Sequence, residues 1–493
     1  MTLDQLLAGV STAGPVPALV VSGLQYDSRK LGPGEVFFAF PGEQVDGHRF
    51  IADVIAKGAA AIVSERPPDP GVSIPWVQVP HGREALALAA LNFYGHPDRR
   101  LALTGITGTN GKTTTVYLSD SVLRAAGLTT ATFGTVEQSV AGQRRPTVNT
   151  TPESLDLVRL FVDLEQQRGT HATFEVSSHA LALRRVYGFQ FHTVVFTNLT
   201  QDHLDFHGTL ENYAAAKRRL IEGAGGPRPR FAVLNRQDAR GKEWEKLGGF
   251  EPLTYGLNGG AAITAKGVTC NFEGVSFTAV TPAGRFAVRS PLVGRFNVLN
   301  ILAAIGVGLS YELSTDVIAA GIAACTAVPG RLERVDAGQP FAVVVDYAHT
   351  DDALRNVIQA ARELVSDRNP PGRVITLFGC GGDRDRSKRP LMGEAAGRLS
   401  DLVILTSDNP RSEDPLLIIN DAMVGLQRAE ARYFIEPDRA LAIRKAIEEA
   451  RAGDIVILAG KGHETYQIVG SQKLPFDDRE AARRALREFG FGG

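Results

Sequence analysis

Residues 105–114 read Gly105-Ile106-Thr107-Gly108-Thr109-Asn110-Gly111-Lys112-Thr113-Thr114. The apolar run RLALTGIT leads into them and the helix-like TTTVYLSDSVLRAAG leads away. A glycine-rich loop that leaves a strand and opens a helix is the setting a phosphate loop requires. Its backbone N–H groups close around phosphate oxygens, and the helix N-terminus adds about half a unit of positive charge. Lys112 is placed to reach the outer phosphates, and the Thr113 hydroxyl to take a Mg²⁺ coordination position. The strict spacing GxxxxGK[ST] wants glycine at 106, where Ile106 stands, so only GTNGKTT survives. The plain alternative is a glycine-rich turn with an exposed lysine.

Outward from the loop, HATFEVS (171–177), TVVFTNL (193–199) and RFAVLN (230–235) read as further buried strands alternating with helical stretches. That alternation predicts a parallel sheet with crossover helices. Residues 250–292 carry short runs split by Gly and Asn and predict antiparallel hairpins, followed by the helix NVLNILAAIGVGLSYEL. From about 334, FAVVVDYAH, RVITLFGCGG, DLVILTSDN and DIVILAGKG each end an apolar strand in polar or Gly residues. This is a doubly wound pattern, in which ligands bind at the carboxyl ends of the strands. Before the loop, VFFAF, AAAIVSE and PWVQVP read as strands, REALALAALNFYG as a helix ended by Gly95 and Pro97, and HPDRR (96–100) as a linker. The expected fold class is therefore α/β with three domains. They are a smaller N-terminal α/β domain (1–98), a central parallel-sheet domain with a small antiparallel subregion (99–333), and a C-terminal Rossmann-like domain (334–493).

The 493 residues fit three domains. Lys plus Arg number 53 and Asp plus Glu 54, a net charge of −1, which excludes nucleic-acid binding driven by bulk charge. Cys270, Cys325 and Cys380 are too scattered for a CxxC site or a disulfide framework, and a reducing cytoplasm is expected. MTLDQLLAGV has no basic start and carries Asp4, against a secretory signal, and no apolar run reaches the ~18 residues of a membrane helix.

TGTNGKTT resembles the ATP loop of the Mur ligases and of the related folylpolyglutamate synthases. Further segments resemble one Mur branch, in order along nearly the whole chain. They are YDSRKLGPGEVFFAFPGEQVDGHRF (26–50), VNTTPE (148–153), EVSSHAL (175–181), TNLTQDHLDFHG (197–208), VPGRLERV (328–335), VDYAHT (345–350), GCGGDRDRSKRPLMG (379–393), DNPRSEDP (408–415) and GKGHETYQ (460–467). That branch adds the third amino acid of the peptidoglycan stem. The resemblance implies a cytoplasmic, monomeric, ATP- and Mg²⁺-dependent amide ligase. It also implies UDP-N-acetylmuramoyl-L-alanyl-D-glutamate as acceptor and an acyl-phosphate intermediate.

The resemblance also implies roles for particular residues. Gly108, Thr109, Asn110, Gly111, Lys112, Thr113 and Thr114 would hold the nucleotide phosphates. Thr113, Glu175 and His203 would stand near Mg²⁺, with Lys217 carbamylated by CO₂ to carry a carboxylate-like group. Read without the resemblance, Lys217 is a solvated helix lysine, and the alternatives for DHLDFH are a transition-metal site and a polar loop. Asn297 and Asn300 would meet the adenine side, or else cap a helix. Arg331 and Asp346 would meet phosphate and ribose, or else form a surface salt bridge. Ser28, Gln44 and Val45 are implied for the uridine end of the acceptor, and Asn149, Thr150, Thr151, Ser177 and Arg185 for its sugar and peptide end.

The incoming amino acid is meso-diaminopimelate or L-lysine, which differ by one carboxylate at the far end of the side chain. A site for the first needs a bidentate cation there. Asp408-Asn409-Pro410-Arg411 supplies one after a strand, in a rigid Pro turn, and resembles the signature of the diaminopimelate-adding members. Arg384 is a second carboxylate partner, and Gly460 and Glu464 would face the distal ammonium and its carboxylate. The competing role for Arg411 is an ion pair with Glu413 or Asp414. Two other functions remain for test: a folylpolyglutamate synthase, and a nucleotide switch that hydrolyses without an acceptor amine.

Overall fold

The computed structural model describes residues 1–42, 45–68, 70–147, 149–366 and 371–492. Gln44, assigned above to the uridine end, lies outside them. Near the N-terminus, four parallel strands run in the order Gly23–Gln25, Glu35–Ala39, Ala61–Ser64, Trp76–Gln78. The helix Gly82–Phe93 packs its Ala85, Leu86, Ala89 and Ala90 into the core on this sheet.

The central sheet has eight strands, ordered Glu251–Tyr255, Phe231–Asn235, Thr193–Phe196, Ala102–Thr107, His171–Glu175, Thr130–Phe133, Gln138–Val140, Gln143–Arg145. The first six are parallel and the last two form an antiparallel edge. The edge Thr130–Arg145 carries no strong apolar run, so its pairing is set by the neighbouring strand and not by its own pattern. Alternate residues of one apolar run enter different cores. Val194 and Phe196 join one cluster, and Val195 the other. Both faces are therefore covered, as a parallel sheet with crossover helices demands.

Residues 250–292 divide differently from the sequence expectation. Glu251–Tyr255 pairs in parallel with Phe231–Asn235, because Thr254 and Tyr255 are buried on the main sheet. Only Thr264–Asn271, Gly274–Thr281 and Gly284–Ser290 form the antiparallel sheet. The C-terminal sheet runs Glu333–Arg334, Ala342–Asp346, Ile455–Ala459, Val374–Phe378, Leu402–Leu405, Tyr433–Ile435, all parallel except the first. Its alternate residues again split between two cores, with Val343 and Val345 in one and Ala342 and Val344 in the other. A terminal hairpin, Tyr466–Val469 with Gln472–Pro475, lies beside the DNPR turn through the Arg411–Val469 bridge.

Candidate active site

The strand Ala102–Thr107 lies between Thr193–Phe196 and His171–Glu175, so its carboxyl end meets both neighbouring strand ends. Register sets Glu175 beside Ile106 and Phe196 beside Thr107. The loop then crosses tightly packed ground. Gly108 has φ +148°, and a Cβ there would sit 1.8 Å from Thr197 Oγ1. Gly111 has φ +85°, and a Cβ there would sit 2.4 Å from Asn300 Oδ1. Thr109 N–H donates to the Asn198 carbonyl (2.8 Å), and Asn110 N–H to Asn198 Oδ1 (2.9 Å). The helix Lys112–Ala125 starts at Gly111, and its first turn faces a cleft of about 490 Å³ between the central and C-terminal sheets.

Lys112, Glu175, His203 and Lys217 all line this cleft, as do Thr109, Asn110, Gly111, Thr113, Thr114, Asn300, Arg331 and Asp346. Thr113 Oγ1 donates to Glu175 Oε1 at 2.9 Å and accepts from Arg331 Nη2 at 3.0 Å. The Thr135 amide and hydroxyl fix the same carboxylate at 2.9 and 3.2 Å. Lys112 Nζ donates to the Gly108 and Thr109 carbonyls at 3.0 and 2.8 Å. Lys217 is 1 % exposed, not a solvated helix lysine. Its Nζ donates to the Gly108 carbonyl at 2.7 Å and lies 4.4 Å over the Tyr213 ring. Burial, reinforced by the Lys112 ammonium, pushes the Lys217 amine far below the ordinary lysine range.

His203 has φ +52° and its Nε2 stands 3.3 Å from Asp202 Oδ2. Burial, helped by His179, Lys112 and Lys217, outweighs that carboxylate and holds the imidazole down at about 3, so it is neutral. Asp202 is also bound by Lys388 of the C-terminal domain, Nζ to Oδ1 at 2.5 Å. Against the upward push of burial, His203, His349 and Lys388 keep this carboxyl well below the usual range. Among the described residues no group of three or more His, Cys, Asp or Glu is arranged to hold a metal ion. Asp346 does not form a surface salt bridge. Its buried carboxylate accepts the Leu332 and Ala348 amides, each at 2.8 Å, and so ties the linker to the cleft.

A second cleft, about 530 Å³, opens at the carboxyl ends of the C-terminal strands. Arg384, Asp408, Asn409, Arg411, Gly460 and Glu464 line it, and Asp202 and His203 line both clefts. Arg411 pairs with neither acidic neighbour. Glu413 is taken by Arg389 (2.7 Å), and Asp414 caps the helix Pro415–Arg428. Arg411 Nη1 donates to the Gly382 carbonyl at 2.6 Å, and its backbone is pinned to the hairpin by Ile468 and Gly470. Pro410 shapes the turn without lining the cleft, its carbonyl packed against Gly382. The sequence reading missed Lys461, a fully buried ammonium among Asp408, Asn409 and Glu464. It also missed Lys388, Asn198 and Thr135. The first three lie within segments quoted above, but only the folded contacts single them out.

Other residues assigned from the sequence are more scattered. Thr150 and Ser177 line the first cleft, and Asn149 lines a third hollow with Tyr26, Asp27 and Arg29. Ser28, Val45, Thr151, Arg185 and Asn297 line none of these three clefts. Arg185 Nε meets Glu153 (3.0 Å), and Thr151 is buried with its hydroxyl on the Glu175 carbonyl (2.8 Å). Asn297 is one step removed from the cleft, its Oδ1 accepting from Asn300 Nδ2 at 2.9 Å.

Three family descriptions match in succession. "Mur ligase family, catalytic domain" covers residues 20–94, "Mur ligase middle domain" 106–308, and "Mur ligase, glutamate ligase domain" 330–462. A relative from Solibacter usitatus, named UDP-N-acetylmuramoyl-L-alanyl-D-glutamate--2,6-diaminopimelate ligase, is 58 % identical over all of this chain and 99 % of its own. The chain belongs to the Mur ligase family. A Geobacillus thermodenitrificans relative of the same name is 46 % identical over 95 % of each chain. A solved structure of a ligase of that name shares 34 % identity and a TM-score of 0.69, with 99 % of each chain covered. Mur ligases are ATP-dependent, and residues 109–114 line the first cleft. No helix of the described residues is long and apolar enough to cross a membrane.

Proposed function

We propose that this Mur ligase joins meso-diaminopimelate to UDP-N-acetylmuramoyl-L-alanyl-D-glutamate at the expense of ATP, in the cytoplasm and as a monomer. The observation that carries the reading is the second cleft. Arg411 and Arg384 line it together with Asp408 and Glu464, a complement to an amino acid with charges of both signs at its far end. The names of the relatives support the same substrates. The separate sheets support a division at 1–98, 99–333 and 334–493, although Glu333–Arg334 pairs as one short strand across the second boundary.

A carboxylate is a poor electrophile, and phosphorylation solves that. A carboxylate oxygen of the acceptor attacks the γ-phosphorus, the β–γ bridge breaks, and an acyl phosphate and ADP result. The amine then attacks the acyl carbon, inorganic phosphate leaves, and the amide nitrogen loses a proton. The amide nitrogens of 111–114, at the N-terminus of the helix, would hold phosphate charge, and Lys112 and Arg331 supply cations at the same end of the cleft. Asp202 and His203, common to both clefts, mark where the activated carboxyl and the amine meet.

Bound Mg²⁺ would neutralise phosphate oxygens during transfer. The site fits it. Thr113 and Glu175 are hard oxygen donors 2.9 Å apart, and Mg²⁺ needs only one or two protein oxygens besides the phosphates. Lys217 supports carbamylation, since only a neutral amine attacks CO₂ and this one is buried with its pKa pushed far down. The product would carry a carboxylate-like group beside the loop in place of a cation.

The test is phosphate release by the purified ligase with ATP, Mg²⁺ and the UDP-dipeptide. Release should require an added amino acid and be much faster with meso-diaminopimelate than with L-lysine. Equal or reversed rates reject the specificity. A requirement for a folate, or turnover with no acceptor, rejects the reaction.

A further inference from the structure

Lys461 sits one residue after the strand Ile455–Ala459 and Gly460, with no exposed surface. Its Nζ donates to Asp408 Oδ1 (3.2 Å), Asn409 Oδ1 (3.1 Å) and Glu464 Oε2 (3.2 Å). Asn409 Nδ2 closes the cluster on the same Glu464 oxygen at 2.9 Å. One ammonium thus joins the turn after Leu402–Leu405 to the turn after Ile455–Ala459. Each carboxylate spends one oxygen inward, while Asp408 Oδ2 and Glu464 Oε1 have no partner among the described residues. Both acids line the amino-acid cleft, and Lys461 does not. Gly460, with φ +110°, lies beside the open oxygen, since a Cβ there would be 3.5 Å from Asp408 Oδ2.

We propose that Lys461 is a positioning residue for the incoming amino acid, orienting the Asp408 and Glu464 carboxylates so that one oxygen of each faces the ligand's ammonium. The proposal rests on the substrate reading above and deepens it. Charge supports it. Two carboxylates meeting at one point repel, and a single shared cation offsets that repulsion while leaving net negative charge for an incoming ammonium. Arg411 and Arg384 then serve only the ligand carboxylate. Lys461 spends its hydrogen bonds on Asp408, Asn409 and Glu464 and does not line the cleft, so its effect passes through the residues that it holds.

The test is Lys461→Met, which keeps length and apolar volume but removes the charge. The KM for meso-diaminopimelate should rise about 10- to 100-fold, while the KM values for ATP and the UDP-dipeptide stay within about twofold. Unchanged KM for the amino acid, or equal rises for all three substrates, overturns the proposal. Because Lys461→Met leaves two buried carboxylates uncompensated, it could unfold; the native ligase therefore provides a second readout. In a crystal structure with meso-diaminopimelate bound, Lys461 should keep both carboxylates and not touch the ligand. A ligand ammonium found in place of Lys461 overturns the proposal. If the native ligase shows no turnover with this amino acid, the substrate reading fails first and the proposal falls with it.

Discussion

Replacing Arg411 by alanine separates diaminopimelate from lysine more cleanly than any other change. The residue has φ +52°, and both alanine and lysine inherit that left-handed backbone at similar cost, so strain cancels in the comparison. Its backbone stays pinned by the amide bonds to Ile468 and Gly470 whatever the side chain. Within the protein the guanidinium makes one bond that alanine forfeits, to the Gly382 carbonyl, worth about 1 kcal/mol at most. Arg411 and Arg384 lie close together at Gly381, where a Cβ would stand 3.1 Å from Arg411 Nη1 and 3.6 Å from Arg384 Cγ, and both residues line the cleft. Burial, and then the Arg384 charge, disfavour the cationic form of Arg411, a penalty that a bound carboxylate relieves. A charge-assisted contact to that carboxylate contributes about 1.5–3 kcal/mol, so Arg411→Ala should raise the diaminopimelate KM by ~10- to 150-fold. Arg411→Lys keeps the charge without the planar fork and should fall between, at about 10-fold. L-lysine lacks the far carboxylate, so its kcat/KM should stay within about twofold. The assay is phosphate release at saturating ATP and UDP-dipeptide, titrating each amino acid in turn. Equal losses for the two amino acids, or a change confined to the ATP KM, would refute the reasoning.

Gly111→Ala should raise the ATP KM at least about tenfold with little effect on the diaminopimelate KM, since the new Cβ meets Asn300 Oδ1 at 2.4 Å on a backbone of φ +85°; a near-native ATP KM would show that the loop does not hold the nucleotide. With ¹³C-bicarbonate, the native ligase should show a carbamate resonance by NMR that Lys217→Met lacks, and loss of Lys217 should cut kcat by about 100-fold or more. His171, far from the clefts and against Tyr311, is pulled by burial and then by His192 to about 4 from 6.5. The unfolded chain therefore binds this proton first, and the stabilisation is full above pH 6.5 and lost as pH falls toward 4. His171→Phe should flatten that part of the Tm–pH curve; an unchanged curve would mean that His171 does not contribute.

The strand-to-helix setting of residues 105–114 was legible because it is local. Gly108, Gly111, Lys112 and Thr113 lie on one turn, and strand-to-helix context fixes which way they face. Arg411 was legible for a similar reason, a strand end followed by a Pro turn. Lys217 was not, because a lysine in ENYAAAKRRL carries no mark of burial; packing of Tyr213, Ala216 and Leu220 on the same helix buries it. Arg185 and Thr151 have residue types that suit ligands, yet nearby Glu153 and the Glu175 carbonyl claim them first. Glu251–Tyr255 looked like hairpin material because its turn-rich surroundings hid the one contact that matters, its parallel pairing with Phe231–Asn235.

By itself the sequence determined the alternation of apolar strands and helices, the order of three α/β units and the strand-to-helix loop at 105–114, all set by periodicity and nearest neighbours. Only the tertiary structure decided which charges meet. Lys388 reaches Asp202 across 186 positions, Arg331 reaches Thr113 across 218, and Lys461 gathers Asp408 and Glu464 from two strand ends. The physical reason is that a charge is worth little in water and a great deal once buried beside its partner, and burial is a property of the packed sheets rather than of any segment.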